Sequence, residues 1–565
     1  MTTPAEATRR ARWRRGWAGF AVFVAAFAVR AACLAELRDH SYLGNVRVSD
    51  ASEYFQLANR ILAGTAPFTP FWQAPLYPYL LAGFQALAGD SLVAAQWLHV
   101  AIGSLDCAIL FALGEALFGR RVAAVTAAFA VLYAPFWLFD VQPLPATWTT
   151  LFTLLSLATY LRFRATERRA WLAGAGVLLG AALLTHGLAI FAVPVFASDL
   201  ALRASESARP HPRRASTLAV FLAATSLLPA AVSLRNSIAA GSPVFVSHNA
   251  GINLYIGNRP DLDDTLTRRS GYEWESFFEE PHRRGITSAA ALDRYFAGEA
   301  LAAWRDAPLA LLRTTARKAL ITVSGNETKR NFPIDPLRED SRLLRLFLWQ
   351  VEALGRVAVA FPTGVVLPLA FLGFAAVRRG RFDGRVSSRD ASLPAWIACA
   401  LAAGMVVFFP ASRYRVTAVA LSLPYAAVAA VAAWDALARR RRPSLRTGVA
   451  FAFTWVFVNA VATQAYRHPD RDRAEDLYYE ARWAMQRTAR TSDPRLEAAL
   501  EARATEAMRI DPTYPEPVEL LAAFYMTRDL PRARVLFDRF SEMVPADAEG
   551  RVLLERILRR LEQQG

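Results

Sequence analysis

The stretch that decides the fold runs from Ser49 to Gly89 and reads SDASEYFQLANRILAGTAPFTPFWQAPLYPYLLAGFQALAG. It follows the first hydrophobic span of the chain and precedes the second, so it is predicted to be a loop at a membrane face. Asp50 and Glu53 open a helix in this loop, where negative charge suits the helix dipole and where Ser49 can provide the cap. A simple connector would need only a few polar residues, so this loop is expected to have a further task.

The rest of the stretch predicts a surface helix followed by a stiff aromatic segment. Apolar residues recur at helical spacing from Leu57 to Leu62, which predicts an apolar face lying on the bilayer surface. Residues 67–79 are rich in proline and aromatic side chains, a composition that argues against a simple helix and favours rings at the depth of the lipid headgroups. Both features indicate a loop that works at the membrane surface.

The composition of the chain indicates a membrane protein. Of its 565 residues 54% are hydrophobic, and the formal net charge is +16. Nearly all basic residues are arginines, and their clusters lie between hydrophobic spans, which indicates membrane orientation rather than nucleic-acid binding. Cys33, Cys107 and Cys399 all fall within apolar spans, without the spacing of a disulfide framework or a metal site.

About eleven stretches are apolar and long enough, at roughly 20 residues each, to cross a bilayer as helices. The expected fold is therefore an all-α polytopic membrane bundle with large loops. Arg30 lies near the outer end of the first stretch, where its long side chain is expected to snorkel to the interface, with a role in a site as the second interpretation. The stretches lie near 16–37, 92–118, 122–138, 144–163, 171–185, 187–202, 216–236, 352–377, 392–410, 414–435 and 447–464.

Arginine clusters define the expected orientation of the bundle. They fall on one side of the membrane together with the N-terminus, and this side is expected to be the cytoplasm. Residues 38–91, 237–350 and 465–565 are then outside, which predicts a multi-pass protein of a bacterial inner membrane with its C-terminus in the periplasm. The predicted domains are a membrane domain over 1–464 and a periplasmic helical domain over 465–565.

The large loop contains a block rich in glycine and asparagine, SHNAGINLYIGN at 247–258. The amide groups of this block suit sugar binding and its glycines equally suit tight turns, so both interpretations stand. Amphipathic patterns further along the loop predict helices at about 287–304 and 308–323.

The tail after residue 465 is polar and predicted to be helical. Pro512 and Pro545 lie 33 residues apart, each closing a helix, and this spacing is typical of tetratricopeptide repeats. We expect these helices to pack on the outer loops or on a protein partner, outside the active site. The expected packing positions are Ala507, Leu521, Ala522, Tyr525 and Ala533.

The order of these parts resembles the GT-C superfamily of multi-spanning glycosyltransferases, and within it the family 39 group, alongside protein O-mannosyltransferases and aminoarabinose transferases. The motifs that carry the resemblance are Asp50–Tyr54 with PLYPYLLA at 75–82, the block at 247–258, and SRYRV at 412–416. The resemblance covers nearly the whole membrane part. It implies transfer of a sugar from a polyprenyl-phosphate donor, held among membrane lipids, to a lipid, glycan or protein acceptor outside.

The resemblance implies roles for the residues of these motifs. Transfer needs a base for the acceptor hydroxyl, assigned to Asp50, while Glu53 one turn on would orient the acceptor or tune the pKa of Asp50. Arg413 and Arg415 are candidates for the donor phosphate, because a guanidinium binds oxyanions through two hydrogen bonds. The plainer interpretations are a helix-start carboxylate for Asp50 and interfacial anchors for the two arginines.

Further substrate-binding candidates come from the same loops and from one intramembrane position. Asp140 lies in an outer turn with two prolines and is as well explained by structure as by catalysis. His186 stands where the family usually carries an Arg-Pro-Asn-like turn, and it is either a satisfied polar group or a proton carrier. The remaining candidates are Tyr54, Gln73, Tyr77, Asn253, Tyr255 and Tyr414.

No tightly bound metal is expected, since the histidines lack ligand spacing, while a loosely held divalent cation stays open. A polymerase or ligase of polyprenyl-linked glycans is the first alternative function, but it would lack a carboxylate-bearing loop directly after the first span. A membrane transporter is the second alternative. It would show paired halves with broken spans in matching positions, and the sequence has no such symmetry.

Overall fold

Most of the chain folds into helices. Ser49, predicted to cap the first loop helix, lies outside the residues that the structure describes. The computed structural model of the protein describes residues 4–47, 50–206, 213–330, 332–382, 384, 386–440, 444–491 and 493–564.

The first part of the chain contains long apolar helices and the helices of the first loop. In chain order they are α1 (Pro4–His40), α2 (Asp50–Leu62), α3 (Leu76–Ala88), α4 (Leu92–Phe118), α5 (Arg120–Leu132), α6 (Ala134–Asp140), α7 (Ala146–Thr166), α8 (Arg169–Thr185), α9 (Val193–Glu206) and α10 (Arg213–Ala240). A 3-10 segment, Gly187–Ala192, joins α8 to α9.

The large loop folds into short helices and a hairpin. These elements are α11 (Ala250–Gly257), α12 (Leu262–Leu266), α13 (Tyr272–Arg283), α14 (Ala289–Asp306), α15 (Pro308–Val323), α16 (Ile334–Asp340), α17 (Arg342–Phe347), β1 (Trp349–Ala353) and β2 (Arg356–Phe361). Helices α14 and α15 confirm the two amphipathic helices predicted in this loop. The block predicted as either turns or a sugar site forms α11, so its glycines do not mark turns.

The last part of the chain returns to the bundle and then leaves it for the tail. Its helices are α18 (Thr363–Arg378), α19 (Ser388–Val407), α20 (Ser412–Ala438), α21 (Leu445–Val456), α22 (Pro469–Thr491), α23 (Pro494–Ile510), α24 (Pro515–Tyr525), α25 (Leu530–Met543) and α26 (Glu549–Gln564). A π-helical turn, Phe457–Val461, and a 3-10 turn, Ala462–Ala465, extend α21.

The predicted membrane span over 352–377 is wrong over its first part. Residues 356–361 form β2, which pairs antiparallel with β1, and the helix begins only at Thr363. Apolar residues on both faces of a strand form a continuous hydrophobic run, which hydropathy alone does not separate from a membrane helix.

Six helices in the described part of the chain are long and apolar enough to cross a membrane, or seven if the bent pair α5–α6 is one span. Helix α8, residues 187–202 and α18 are shorter apolar helices. The fold is therefore the expected all-α polytopic bundle, while the count of about eleven spans stays a prediction.

Helix α8 packs closely on α10 through small residues. A methyl group at Gly176 would lie 2.8 Å from the carbonyl oxygen of Phe221, and one at Gly180 would lie 2.5 Å from that of Thr225. Small residues let membrane helices approach in this way. The contact fixes the end of α8, where His186 follows.

Helix α2 buries one face, while the predicted contact of Leu57–Leu62 with the bilayer surface stays a prediction. Tyr54, Phe55 and Ala58 are buried, whereas Leu62 is 46% exposed. The buried face, which includes Tyr54 and Phe55, belongs to a helix that packs on α3. The aromatic segment is non-helical only as far as residue 75, since α3 begins at Leu76.

The tail forms helical pairs, with α22 against α23 and α24 against α25. Helices α23 and α25 end shortly before Pro512 and Pro545, as predicted. The assignment to tetratricopeptide repeats stays a prediction. The five predicted packing positions are all buried: Ala507, Leu521, Ala522, Tyr525 and Ala533.

Candidate active site

A cavity of about 490 Å³ lies where the loop helices meet the ends of the bundle helices. Its wall comes from α2 and the aromatic segment after it, the end of α8, α11, the start of α13 and the start of α20. Elements far apart in the chain therefore converge on one space. The predicted site residues that line it are Asp50, Glu53, Tyr54, Gln73, His186, Asn253, Arg413 and Tyr414.

Asp50 forms an ion pair with Arg413 at this cavity. Arg413 Nη1 donates to Asp50 Oδ2 at 2.6 Å, and Arg413 Nη2 donates to the hydroxyl of Tyr414 at 3.1 Å. The side chains are 20% exposed for Asp50 and 10% exposed for Arg413. A carboxylate and a guanidinium are thus held in fixed orientation, which is the arrangement that makes catalytic groups effective.

Glu53, one turn after Asp50, has a different electrostatic environment. Gln73 Nε2 donates to Glu53 Oε2 at 3.2 Å, and the hydroxyl of Tyr54 donates to Gln73 Oε1. Burial, followed by the charge of Asp50, raises the pKa of Glu53 to about 7, against a smaller lowering by the Gln73 hydrogen bond. Glu53 therefore changes its charge near neutral pH.

Arg330 lines the same cavity and is the residue that sequence analysis missed. Its Nη1 donates to the carbonyl oxygens of Thr265 and Leu266 at 2.9 Å and of Arg268 at 3.1 Å. Its Nε and Nη2 are buried and find no hydrogen-bond acceptor among the described residues. Burial lowers the pKa of Arg330 to about 10, so the guanidinium stays charged at neutral pH. A buried cation with two open donors favours an anionic ligand.

The sequence around Arg330 does not distinguish it from other basic residues of the large loop. Lys329 and Arg330 form a basic pair in the loop that the arginine clusters assign to the outside. The same loop contains the basic pairs Arg268–Arg269 and Arg283–Arg284, so a basic pair does not by itself indicate a binding residue.

His186 lies beside the ion pair. The ring centres of His186 and Tyr414 are 4.3 Å apart, and the backbone N–H of Leu188 donates to His186 Nδ1 at 3.4 Å. Asn253 reaches the cavity from α11. The turn after α8 and the helix formed by the glycine-rich block are therefore both parts of the cavity wall.

Tyr77 and Tyr255 are not among the described residues that line the cavity. Tyr77 supports a lining residue, with its ring centre 4.9 Å from that of Tyr54, and its hydroxyl bonds His99 Nε2 at 3.1 Å. Tyr255 packs against Phe296, with ring centres 5.4 Å apart. Both tyrosines support the wall, and their assignment to substrate binding stays a prediction.

Arg415 is also not among the described residues that line the cavity. It binds a neighbouring segment of the chain instead. It donates to the carbonyl oxygens of Ser324 at 2.5 Å and Asn326 at 2.9 Å, and to Glu327 Oε1 at 2.9 Å. These residues begin the segment 324–330, which we call the strap. Arg415 thereby fixes the strap, and Arg413 is the arginine of the motif that faces the cavity.

Arg30 does not snorkel to the interface, which corrects the sequence-based expectation. It is fully buried, and its Nε donates to Asp140 Oδ2 at 2.7 Å. Thr147 Oγ1 donates to Asp140 Oδ1 at 2.8 Å, and a methyl group at Gly103 would overlap this carboxylate. Asp140 ends α6 in the bundle interior and is not among the described residues that line the cavity. The pair joins α1 to α6.

Asp140→Asn is expected to destabilise the protein by about 3 kcal/mol, because it removes the hydrogen-bonded counter-ion of the buried Arg30 charge. The double variant Arg30→Met with Asp140→Leu removes both charges and should recover much of the loss. Thermal unfolding in detergent micelles measures both shifts. An Asp140→Asn protein that unfolds at the wild-type temperature would contradict a stabilising role of the pair.

No group of three or more His, Cys, Asp or Glu side chains within the described residues is arranged to hold a metal ion. The expectations for metals, including a loosely held divalent cation, stay predictions.

The fold and the cavity define a multi-spanning membrane protein with a paired carboxylate and guanidinium at a shared site. Residues 72–232, less than a third of the chain, match the sequence model of the family described as dolichyl-phosphate-mannose-protein mannosyltransferase. This match over part of the chain agrees with the predicted resemblance to multi-spanning glycosyltransferases.

No curated protein sequence matches the chain. Among solved structures, the oligosaccharyltransferase AglB from Archaeoglobus fulgidus, in complex with an inhibitory peptide and a dolichol-phosphate, is similar at 14% identity and a TM-score of 0.44. That alignment covers 87% of this chain and 60% of AglB, so this chain spans less than two thirds of that protein. ArnT from Cupriavidus metallidurans, bound to undecaprenyl phosphate, is similar at 14% identity and a TM-score of 0.41, over 96% of this chain and 76% of ArnT. Similarities this distant define neither substrate nor site.

Proposed function

We propose that this protein transfers a sugar from a polyprenyl-phosphate-linked donor to a hydroxyl group of an acceptor outside the membrane. One observation carries the proposal: the Asp50 carboxylate and the Arg330 guanidinium line the same cavity. The carboxylate suits removal of a proton from the acceptor, and the guanidinium suits the departing phosphate. The matched family, whose description names a dolichyl-phosphate sugar, supports this class of donor.

In the proposed reaction Asp50 is the general base. It accepts the proton of the acceptor hydroxyl while the hydroxyl oxygen forms a bond to the anomeric carbon of the sugar. The bond between that carbon and the phosphate oxygen breaks, and its electron pair leaves with the polyprenyl phosphate. The Arg330 guanidinium binds this phosphate, and Arg413, which lines the same cavity, is the second cation. Fixed donors of this kind stabilise charge that develops in the transition state.

Arg330→Gln tests the phosphate assignment. It removes the charge and both open donors, so the affinity for undecaprenyl phosphate should fall by at least about ten-fold, as expected for lost charge-assisted hydrogen bonds. The dissociation constant is measured on purified protein in detergent. Arg284→Gln is the matched control, since Arg284 is an exposed arginine of the same loop that pairs with Glu280 and should leave binding unchanged. Equal dissociation constants for wild type and Arg330→Gln would exclude Arg330 as the phosphate ligand.

Glu53 should make donor binding depend on pH. Because its pKa is about 7, its carboxyl is neutral at pH 6 and charged at pH 8. The charge repels a phosphate in the shared cavity, so the wild-type affinity for undecaprenyl phosphate should fall about five-fold over this range relative to Glu53→Gln. Comparing the two proteins at each pH cancels the titration of the ligand itself. A ratio of affinities that is the same at both pH values would show that Glu53 does not face the phosphate.

We further propose that the protein lies in a bacterial inner membrane with its N-terminus in the cytoplasm and its cavity and tail in the periplasm. The positions of the arginine clusters support this orientation. A reporter that is active only in the periplasm, fused after Gly565, should be active. Activity of a cytoplasmic reporter at that position would reverse the orientation.

A further inference from the structure

The strap (residues 324–330) carries Arg330 to the cavity and is tied to the start of α20. Thr328 N donates to Ser412 Oγ at 2.7 Å, and Ser412 N donates to Thr328 O at 3.2 Å. Arg415 binds the beginning of the strap. The start of α20, which also carries Arg413, therefore holds the strap along residues 324–328.

Lys329, the residue before Arg330, contacts the tail. Its Nζ pairs with Asp335 and lies 3.7 Å from carboxylate oxygens of Asp472 and Asp476, both on α22. The Lys329 side chain is only 9% exposed. Burial alone would lower the pKa of Lys329, yet the three carboxylates raise it above its ordinary value. The three carboxylates therefore hold a charged, buried lysine directly before Arg330 in the chain.

A second route joins the tail to Arg330. The carbonyl oxygens that accept from Arg330 belong to residues 265–268. The next residue, Arg269, donates to Asp511 Oδ2 at 2.7 Å, and its guanidinium lies 3.5 Å from the ring centre of Tyr514. The tail is therefore attached at two places next to Arg330. Asp472 and Asp476 lie near Lys329, and Asp511 binds Arg269, which follows the backbone that accepts from Arg330.

We propose that α22 is a positioning element of the active site: Asp472 and Asp476 hold Lys329, and Lys329 holds Arg330 at the donor phosphate. This inference rests on the proposed function. Lys329 is a positioning residue, since it contacts carboxylates and not the cavity. The inference differs from the sequence-based expectation that the whole tail lies outside the active site.

The test measures binding of undecaprenyl phosphate to full-length variants in detergent. Lys329→Met should raise the dissociation constant about five-fold or more, and Lys329→Arg, which keeps the charge, should stay within about two-fold of the wild type. Asp472→Asn combined with Asp476→Asn should weaken binding in the same way from the side of the tail. Glu480→Gln is the control, because Glu480 lies on α22 but pairs with Arg503, away from the strap.

The dissociation constant and the amount of ligand bound per protein distinguish a misplaced Arg330 from an unfolded variant. A variant that merely unfolds binds less ligand per protein with an unchanged dissociation constant, whereas a misplaced Arg330 raises the dissociation constant at full capacity. Unchanged dissociation constants in both Lys329→Met and the double aspartate variant, with weakened binding in Arg330→Gln, would overturn the positioning role and leave the proposed function intact. Normal binding in Arg330→Gln would instead overturn the phosphate assignment of the proposed function.

Discussion

Asp50→Asn is expected to lower the rate of sugar transfer by at least ~10²-fold, equivalent to about 3 kcal/mol of activation free energy. The substitution keeps the size of the side chain and removes its basicity. The partner of Asp50, Arg413, keeps its hydrogen bond to Tyr414 and its place at the cavity, so binding of undecaprenyl phosphate should be retained. The measurement is transfer from a labelled polyprenyl-phosphate sugar in reconstituted membranes. The sugar is first identified from the lipid-linked glycan that accumulates in a deletion strain.

Asp90→Asn is the control for this experiment. Asp90 belongs to the same loop, but it pairs with Arg47 at the surface, so its variant should transfer within about two-fold of the wild-type rate. If Asp50→Asn kept more than about a third of the wild-type rate, the base would be another residue. Glu53 would then be tested next, because its carboxyl shares the cavity while that of Asp140 is bound to Arg30.

Arg413→Gln should reduce transfer by about 10²-fold for two reasons. The Asp50 charge loses its counter-ion in a mostly buried position, and the donor phosphate loses one cation. Rates and dissociation constants are measured on the same reconstituted protein. Arg305→Gln is the control, since Arg305 is an exposed arginine of the large loop that pairs with Asp306.

The double variant Asp50→Asn with Arg413→Gln decides whether the pair acts as one unit. If it does, the double variant is only slightly slower than Asp50→Asn alone, because each single change already disables the shared step. Fully additive losses of about 10⁴-fold would show that Asp50 and Arg413 act on separate steps. That result would contradict the ion pair as a catalytic unit.

The helix starts that carry Asp50 and Arg413 were predictable from local sequence. A carboxylate in the first turn of a helix and arginines at the end of an apolar span leave short patterns that need no tertiary information. The ion pair between these two residues was not predictable, because they are 363 positions apart in the chain and only the folded bundle brings them together. The same limit applies to Arg30 and Asp140, which hydropathy assigned to an interface and to a turn.

Two predictions were wrong because the composition of a segment does not define its backbone geometry. The strand β2 was predicted as part of a membrane span, and the glycines of α11 were predicted, in one of two interpretations, to mark turns. Average hydropathy does not report the geometry of the backbone, and glycine serves close packing as well as turns. At Gly257 a methyl group would overlap the carbonyl oxygen of Phe408, so this glycine lets α11 approach the end of α19.

The Arg30–Asp140 pair has a consequence for how the protein is made. Arg30 is synthesised 110 residues before its partner, which corresponds to a delay of about 5–20 s at ordinary rates of translation. During that time α1 carries a charge that is expensive in the hydrocarbon core and has no ion-pair partner from α6. Until α6 is made, Arg30 therefore adds a cost of about 2.5–3.5 kcal/mol to insertion of the first helix, and the ion pair with Asp140 then offsets part of this cost.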